Sequence, residues 1–190
     1  MQATPKYYIL ESGSHDMMLI YPVPNPGLRD RWWAGKPFQR PPAQPIVAEI
    51  RTGTEQGELL DYFNAASLMS NALHAALLEA GVDNLDVYDA VIQSEDGTVI
   101  HRGYKAFNVI GLVRAANLAE TVFHSPDSST LIDASIDHLA IDGDKPRGLK
   151  LFRLAENVSA VLVSEDVKRV LESKAFPHLR FLEPHEFVSA

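Results

Sequence analysis

The sequence predicts an α+β fold: a mixed, mostly antiparallel sheet with a few short amphipathic helices, arranged as two similar helix–strand lobes. Two observations point there. Short runs rich in β-branched and aromatic residues recur between turn-forming clusters along the chain, the pattern of strands and not of long helices. In addition, "LMSNALHAALLEAGVDNLDVYDA" (68–90) lies over "LVSEDVKRVLESKAFPHLRFLEP" (162–184) without a gap, at a constant offset of 94 residues. Ser70 falls on Ser164, Leu73 on Val167, Ala76 on Val170, Leu77 on Leu171, Leu85 on Leu179 and Val87 on Phe181. Apolar positions correspond and polar ones do not. Packing asks for that match, whereas shared reaction chemistry would ask for matching polar residues. The repeated unit is therefore read as scaffold.

In chain order, "KYYILE" (6–11) and "MMLIYPV" (17–23) are expected as strands joined by the loop "SGSHD". Seven of the twelve prolines lie from Pro22 to Pro45. Proline fixes φ and lacks an N–H, so this segment is expected as an extended loop across the domain. "PIVAEI" (45–50) follows as a strand. From "ELLDYF" (58–63) the pattern turns helical, with Met69, Leu73, Ala76, Leu77 and Ala80 on one face and Gly81 placed to end the helix. "NLDVYDAVI" alternates as a strand. "VIQSEDGTVIHRG" (91–103) predicts a hairpin with a primed turn at Asp96-Gly97. "YKAFNVIGLV" (104–113) is expected as one further strand and "RAANLAETVF" as a short helix. "HSPDSST" breaks the pattern, "LIDASIDHLAID" resumes it, and "GDKPRG" turns.

"LKLFRLA" (149–155) and "SAVLVS" (159–164) are expected as neighbouring strands around Glu156-Asn157. Ser164 then caps a helix by accepting from a free backbone N–H. Glu165 and Asp166 occupy its positive first turn, with Lys168 and Arg169 further along. Val163, Val167, Val170 and Leu171 supply the buried face. "LRFL" (179–182) returns as a strand that Pro184 ends.

A chain of 190 residues is long enough to bury roughly 70% of its unfolded surface. One domain, 1–190, is expected, with the proline-rich loop at 22–45 and no need of a metal or disulfide. Cysteine is absent, which excludes thiolate catalysis and cysteine metal sites. "MQATPKYYIL" has no basic segment leading into an apolar run, and no stretch approaches the ~18–20 apolar residues of a membrane span. A cytoplasmic location and no membrane partner are expected. The net charge of −8 opposes phosphate backbones, so nucleic acid is not an expected partner, and it favours encounter with a basic protein.

The chemistry-bearing residues form no reaction motif. None of the seven histidines makes an i, i+4 pair flanking a glutamate, as a zinc hydrolase needs, and His74 is expected as a helical residue beside the apolar stripe. "DHLAIDGDK" lacks the alternating ligands and distant glutamate of a calcium loop. There is no phosphate-cradling glycine loop and no G-x-S-x-G elbow. "ESGSHD" sets serine, histidine and aspartate side by side in sequence, whereas triad members converge through the fold. No catalytic residue, cofactor or metal is expected. The most unusual local feature is Arg31-Trp32-Trp33, because tryptophan and arginine are the residues of binding hot spots. The competing reading folds both rings back over the sheet, with Gly35 and Pro37 shaping the turn.

Taken in order, these segments resemble a known family. "KYYIL" is similar to the opening strand of the bacterial polymorphic-toxin immunity family numbered eleven. "WAGKPF" resembles its glycine-proline loop, "ELLDYF" its acidic-aromatic segment, and "YKAFNVIGLV" its aromatic-asparagine strand. "LKLFRLAENVSAVLVSEDVKRVLE" followed by "LRFLEP" resembles its C-terminal signature. The likeness spans nearly the whole chain. It departs at Ala115-Ala116-Asn117, where the family often carries an acidic residue. The resemblance implies an antidote, not an enzyme, that binds and neutralises a cognate toxin or effector domain encoded beside it, and it brings no active site onto these residues. If the toxin is basic, Glu55, Glu58, Glu95, Asp96, Asp142 and Asp144 are candidate contacts together with Arg31, Trp32 and Trp33. Two alternatives stay open: a small hydrolase-like enzyme with a dispersed His/Asp site, and a ligand-binding regulatory module.

Overall fold

The computed structural model describes residues 5–125 and 133–189. In chain order its elements are β1 (Tyr7–Ser12), β2 (Ile46–Glu49), β3 (Tyr62–Phe63), β4 (Leu68–Ser70), α1 (Asn71–Glu79), β5 (Leu85–Gln93) and β6 (Ile100–Val109). They continue with β7 (Leu112–Val113), β8 (Val122–Phe123), β9 (Ile136–His138), β10 (Leu151–Leu154), β11 (Val161–Ser164), α2 (Glu165–Ser173) and β12 (Leu179–Leu182). The strands form two five-stranded sheets, ordered β2-β5-β6-β4-β3 and β12-β1-β11-β10-β7, and a ribbon of β8 and β9. β2 runs parallel to β5 and β7 parallel to β10; the other pairs are antiparallel. The fold is α+β, with mixed sheets and two short helices.

The offset of 94 residues is a repeat of structure. Each helix has nine residues and is capped by the serine before it: Leu73 N donates to Ser70 Oγ at 3.0 Å, and Val167 N to Ser164 Oγ at 3.5 Å. Each helix joins two parallel strands that are separated by an antiparallel one, β6 between β4 and β5, and β1 between β11 and β12. This split β-α-β unit extends further than the sequence alignment. Tyr62 stands opposite Met69, and Leu151 opposite Val163, the same register one repeat later. Opposite the capping serines stand Tyr104 and Tyr7. Their hydroxyls donate to equivalent carbonyls, Tyr104 to Leu60 O at 2.8 Å and Tyr7 to Leu149 O at 3.1 Å. Their rings meet Phe63 and Phe152, again equivalent residues, at 6.3 and 5.2 Å.

Both repeats therefore run β1, β3, β4, α1, β5 and then β6, β10, β11, α2, β12, and they have exchanged their central strands. β1 lies in the sheet of the second repeat, and β6 in the sheet of the first. Neither half of the chain holds a complete five-stranded sheet.

Because successive strand side chains point to opposite faces, each sheet feeds two cores. The inner faces supply Leu10, Met69, Phe107 and Val163, which pack on Leu73, Leu77, Val167 and Leu171 of the two helices. Behind the first sheet, Leu68, Ile92 and Ala106 are covered by Met18, Val23 and Trp32. Behind the second, Ile9, Phe152 and Leu162 are covered by Ala115, Ile136, Leu139 and Phe187. At the seam between the repeats Arg153 Nη1 donates to Asn64 Oδ1 at 3.3 Å and to the Val158 carbonyl. Arg153 and Asn64 are themselves equivalent, each following the paired phenylalanine.

Several local expectations are corrected. "MMLIYPV" makes only the isolated bridges Met17–Glu58 and Ile20–Ile50, since Pro22 and Pro24 give no N–H to a ladder. "ELLDYF" is not helical. Tyr62–Phe63 is β3, Met69 belongs to β4, and the helix starts at Asn71, so part of the apolar stripe is carried by strand residues entering the same core. "YKAFNVIGLV" divides between the sheets at Gly111 (φ +151°), where an added Cβ would lie 3.3 Å from Leu149 Cδ1. "RAANLAETVF" holds no helix; Asn117 Oδ1 accepts from Ala119 N at 3.2 Å and the Asn117 carbonyl from Thr121 N at 2.8 Å, forming a turn into β8. The hairpin turn is wider than a two-residue primed turn, with Ser94 N on Val99 O at 2.9 Å and, of Asp96 and Gly97, only Gly97 at positive φ. Most of "HSPDSST" and the start of "LIDASIDHLAID" lie outside the described residues. Among the described residues no helix is long and apolar enough to cross a membrane.

Candidate functional site

Three of the acidic candidates come together. Ile50 N donates to Gln93 O at 2.8 Å, which carries the parallel β2–β5 pairing up to the mouth of the hairpin and sets the turn 51–57 beside the hairpin tip. Between them lies an open groove of about 610 Å³, lined by Thr52, Glu55, Gln56, Glu95, Asp96 and Thr98 among others.

Each wall is held by its own short-range bonds. Glu55 accepts from Gly53 N through both oxygens, at 3.0 and 2.9 Å. Thr54 Oγ1 donates to Arg51 O at 2.8 Å and accepts from Leu19 N at 3.1 Å. On the hairpin side Asp96 Oδ1 accepts from Ser94 Oγ at 2.6 Å, Thr98 Oγ1 at 2.8 Å and Thr98 N at 3.0 Å. These bonds, the Ser94 hydroxyl first, hold the Asp96 carboxyl down at about 2, because donors aimed at a carboxylate favour its charged form. Asp96 is thus a fixed negative charge at any working pH.

The other candidates stand elsewhere. Glu58 is exposed, accepts from the Ser14 hydroxyl and lies 3.7 Å from His178 Nε2. Asp142 belongs to the turn after the Ala116–Ile141 bridge, where its Oδ1 accepts from Asp144 N at 3.2 Å. Trp32 is a core residue, 3% exposed, with Nε1 on Pro24 O at 2.9 Å and its ring edge-on to Phe38 and Tyr88. Its indole serves the fold and has no face for a partner, which corrects its place among the contacts. Arg31 and Trp33 beside it are exposed. Trp33 therefore parts from the reading that folds both rings back.

Among the histidines, His138 and His185 lie with their ring centroids 6.4 Å apart. His74 is half-buried on α1, and desolvation, then the charge of Lys105, lowers its pKa. His124 Nδ1 lies 3.4 Å from Asp137 Oδ1 at the exposed β8–β9 ribbon, and the Ser12 hydroxyl is spent on the Tyr62 carbonyl. Among the described residues no group of three histidine or acidic side chains is placed to hold a metal ion.

Sequence reasoning missed the seam. Arg153 is 1% exposed, and its Nε and Nη2 find no hydrogen-bond partner among the described residues. Burial lowers its pKa, and burial likewise drives that of the neighbouring Tyr62 above its usual range. The signal was present in "LKLFRLA", where strand alternation puts Arg153 on the same inward face as Leu151. Next to this seam a cleft of about 510 Å³ opens, lined in part by Glu11, Ser12, Tyr62, Asn64, Ser159 and Ser189. Compared with known proteins, the chain matches no family model, and no curated protein matches it with significance.

Proposed function

We propose that this protein is an immunity protein, which binds and neutralises a cognate toxin domain in a one-to-one complex in the cytoplasm. One observation carries the reading: Glu55, Glu95 and Asp96 rim a single open groove, while the positions that repeat between the two halves lie mainly in the interior. The frame is set by packing, and the charge is displayed on turns that packing leaves free. The net charge of −8 and the resemblance to the immunity family support the same reading. An interface of about 800 Å² per partner is enough for a stable complex, and rim carboxylates raise the rate at which a basic domain is captured.

The test is co-expression with the toxin gene encoded beside it. Growth is expected to be restored, and the two chains are expected to elute together at equal stoichiometry. Absence of both rescue and complex would remove the proposal. A second reading, a ligand-binding module, is favoured by the cleft beside the Arg153–Asn64 seam. Native mass spectrometry of the purified chain separates the two, since only the module carries a small molecule through purification.

A further inference from the structure

The proline-rich loop 22–45 contains no helix or strand, whereas the second repeat fills the stretch between its own central and edge strands with β7, β8 and β9. The loop is nonetheless tightly held. Trp32 packs edge-on against Phe38 and Tyr88, with ring centroids 4.9 and 5.9 Å away, and those two rings stack on each other at 5.7 Å. Gly111 N donates to Gly35 O at 3.0 Å, Asn108 Nδ2 to Lys36 O at 2.9 Å, and Gln39 N to Asp30 Oδ1 at 3.1 Å. Gly35 (φ +69°) presses so closely on the second sheet that an added Cβ would lie 2.3 Å from Leu112 Cβ.

The anchored loop displays two large apolar side chains. Leu28 is 93% exposed and Trp33 44% exposed. The same loop carries the exposed cations Arg29, Arg31, Lys36 and Arg40. Against these four the loop has the single acid Asp30, which is buried and engaged, so the segment is locally basic on a chain of net charge −8. A pre-organised loop loses little conformational entropy on binding, and an exposed tryptophan beside arginine is the make-up of a hot spot.

We infer that this loop is a second contact surface, which inserts Leu28 and Trp33 into an apolar pocket rimmed by carboxylates on the toxin domain. The inference rests on the antidote reading and adds the partner's chemistry at this point. Charge decides the occupant. Charges further apart than the ~8–10 Å screening length hardly act on each other, so a compact acidic pocket meets only the basic loop. An anionic bilayer is an extended front that also faces the rest of a chain of net charge −8, including Asp86, whose charge reaches Tyr88 beneath the loop.

The loop is fastened near Asn108 and Gly111, while the acidic groove lies at the other end of β6, about 30 Å away at ~3.3 Å per residue. That is also the approximate width of an ~800 Å² footprint. One partner domain covering both ends meets opposite charges at each, which fixes its orientation.

The experiment is a binding titration of the full chain with the toxin domain encoded beside it, for the wild type, L28S/W33S and R29E/R31E. The near-ultraviolet signal of buried Trp32 serves as the folding control. L28S/W33S is expected to raise Kd tenfold or more with that signal kept, and R29E/R31E to slow association. If the wild type binds and both variants bind equally well, the loop inference fails and the antidote reading stands. If the wild type does not bind, both fail. Sedimentation with vesicles of phosphatidylserine and phosphatidylcholine that is lost in L28S/W33S would overturn the protein pocket in favour of a membrane.

Discussion

Arg153 is the residue on which the two repeats meet, and its guanidinium is only partly satisfied among the described residues: Nη1 is bonded, whereas Nε and Nη2 find no partner there. A buried charge without a counter-ion is costly, and well-packed apolar replacements of such groups are often neutral or stabilising. Arg153→Met is therefore expected to leave urea stability unchanged or raised. Arg153→Ala, which leaves a void, is expected to lose about 2–4 kcal/mol. Equal losses in the two variants would mean that the bonds to Asn64 and Val158 outweigh desolvation.

Glu156 poses the complementary case. Desolvation raises its pKa, against the pull of its own backbone N–H, of the Arg114 charge and of the Ala116 and Ala115 N–H groups, and Oε2 has no partner among the described residues. Its folded pKa lies above the unfolded one, so its favourable contribution is complete below the unfolded pKa and lost as pH rises through the folded value. Glu156→Gln is expected to melt higher than the wild type at pH 7, with the difference vanishing as pH falls to about 4. A difference that stays constant with pH would contradict this. Glu156-Asn157 was legible as the turn between two strands, but its burial was not, because it depends on the distant segment around Ala115 and Ala116.

At the scale of elements, α2 was legible because capping serine, apolar spacing and following strand are all local. For α1 the end was legible but the start was not, since the apolar residues of β3 and β4 extend the helical stripe toward 58. Removing either cap leaves a first-turn N–H unpaired, so Ser70→Ala and Ser164→Ala are each expected to cost about 1 kcal/mol in chemical denaturation. The Ser70 change is expected to cost more, since its hydroxyl also donates to Asp61 Oδ1 at 2.6 Å. A larger loss at Ser164 would break the proposed equivalence. The exchange of β1 and β6 was not legible. "KYYIL" and "YKAFNVI" announce strands, but nothing in a strand's alternation names the neighbour it will pair with. "YKAFNVIGLV" shows the same limit: its apolar run is continuous in sequence, while the φ at Gly111 sends its last residues to the other sheet.

At the scale of the molecule, exchanged central strands make the two halves interdependent, and the candidate contacts Glu55, Glu95 and Asp96 line one groove between turns outside that frame. The acids were legible as acids. That Glu55 meets Glu95 and Asp96, while Glu58, Asp142 and Asp144 stand apart, followed only from the pairing of β2 with β5. The same holds for Arg31-Trp32-Trp33, where alternation along an irregular loop could not assign Trp32 to the core and Trp33 to solvent. The most direct measurement of the central claim is calorimetric titration of the purified chain with the toxin domain that the proposal requires beside it, alongside E55K/E95K/D96K. A stoichiometry of one, with the variant at least tenfold weaker in low salt, is predicted. No heat of binding, together with turnover of a substrate by the chain alone, would contradict it.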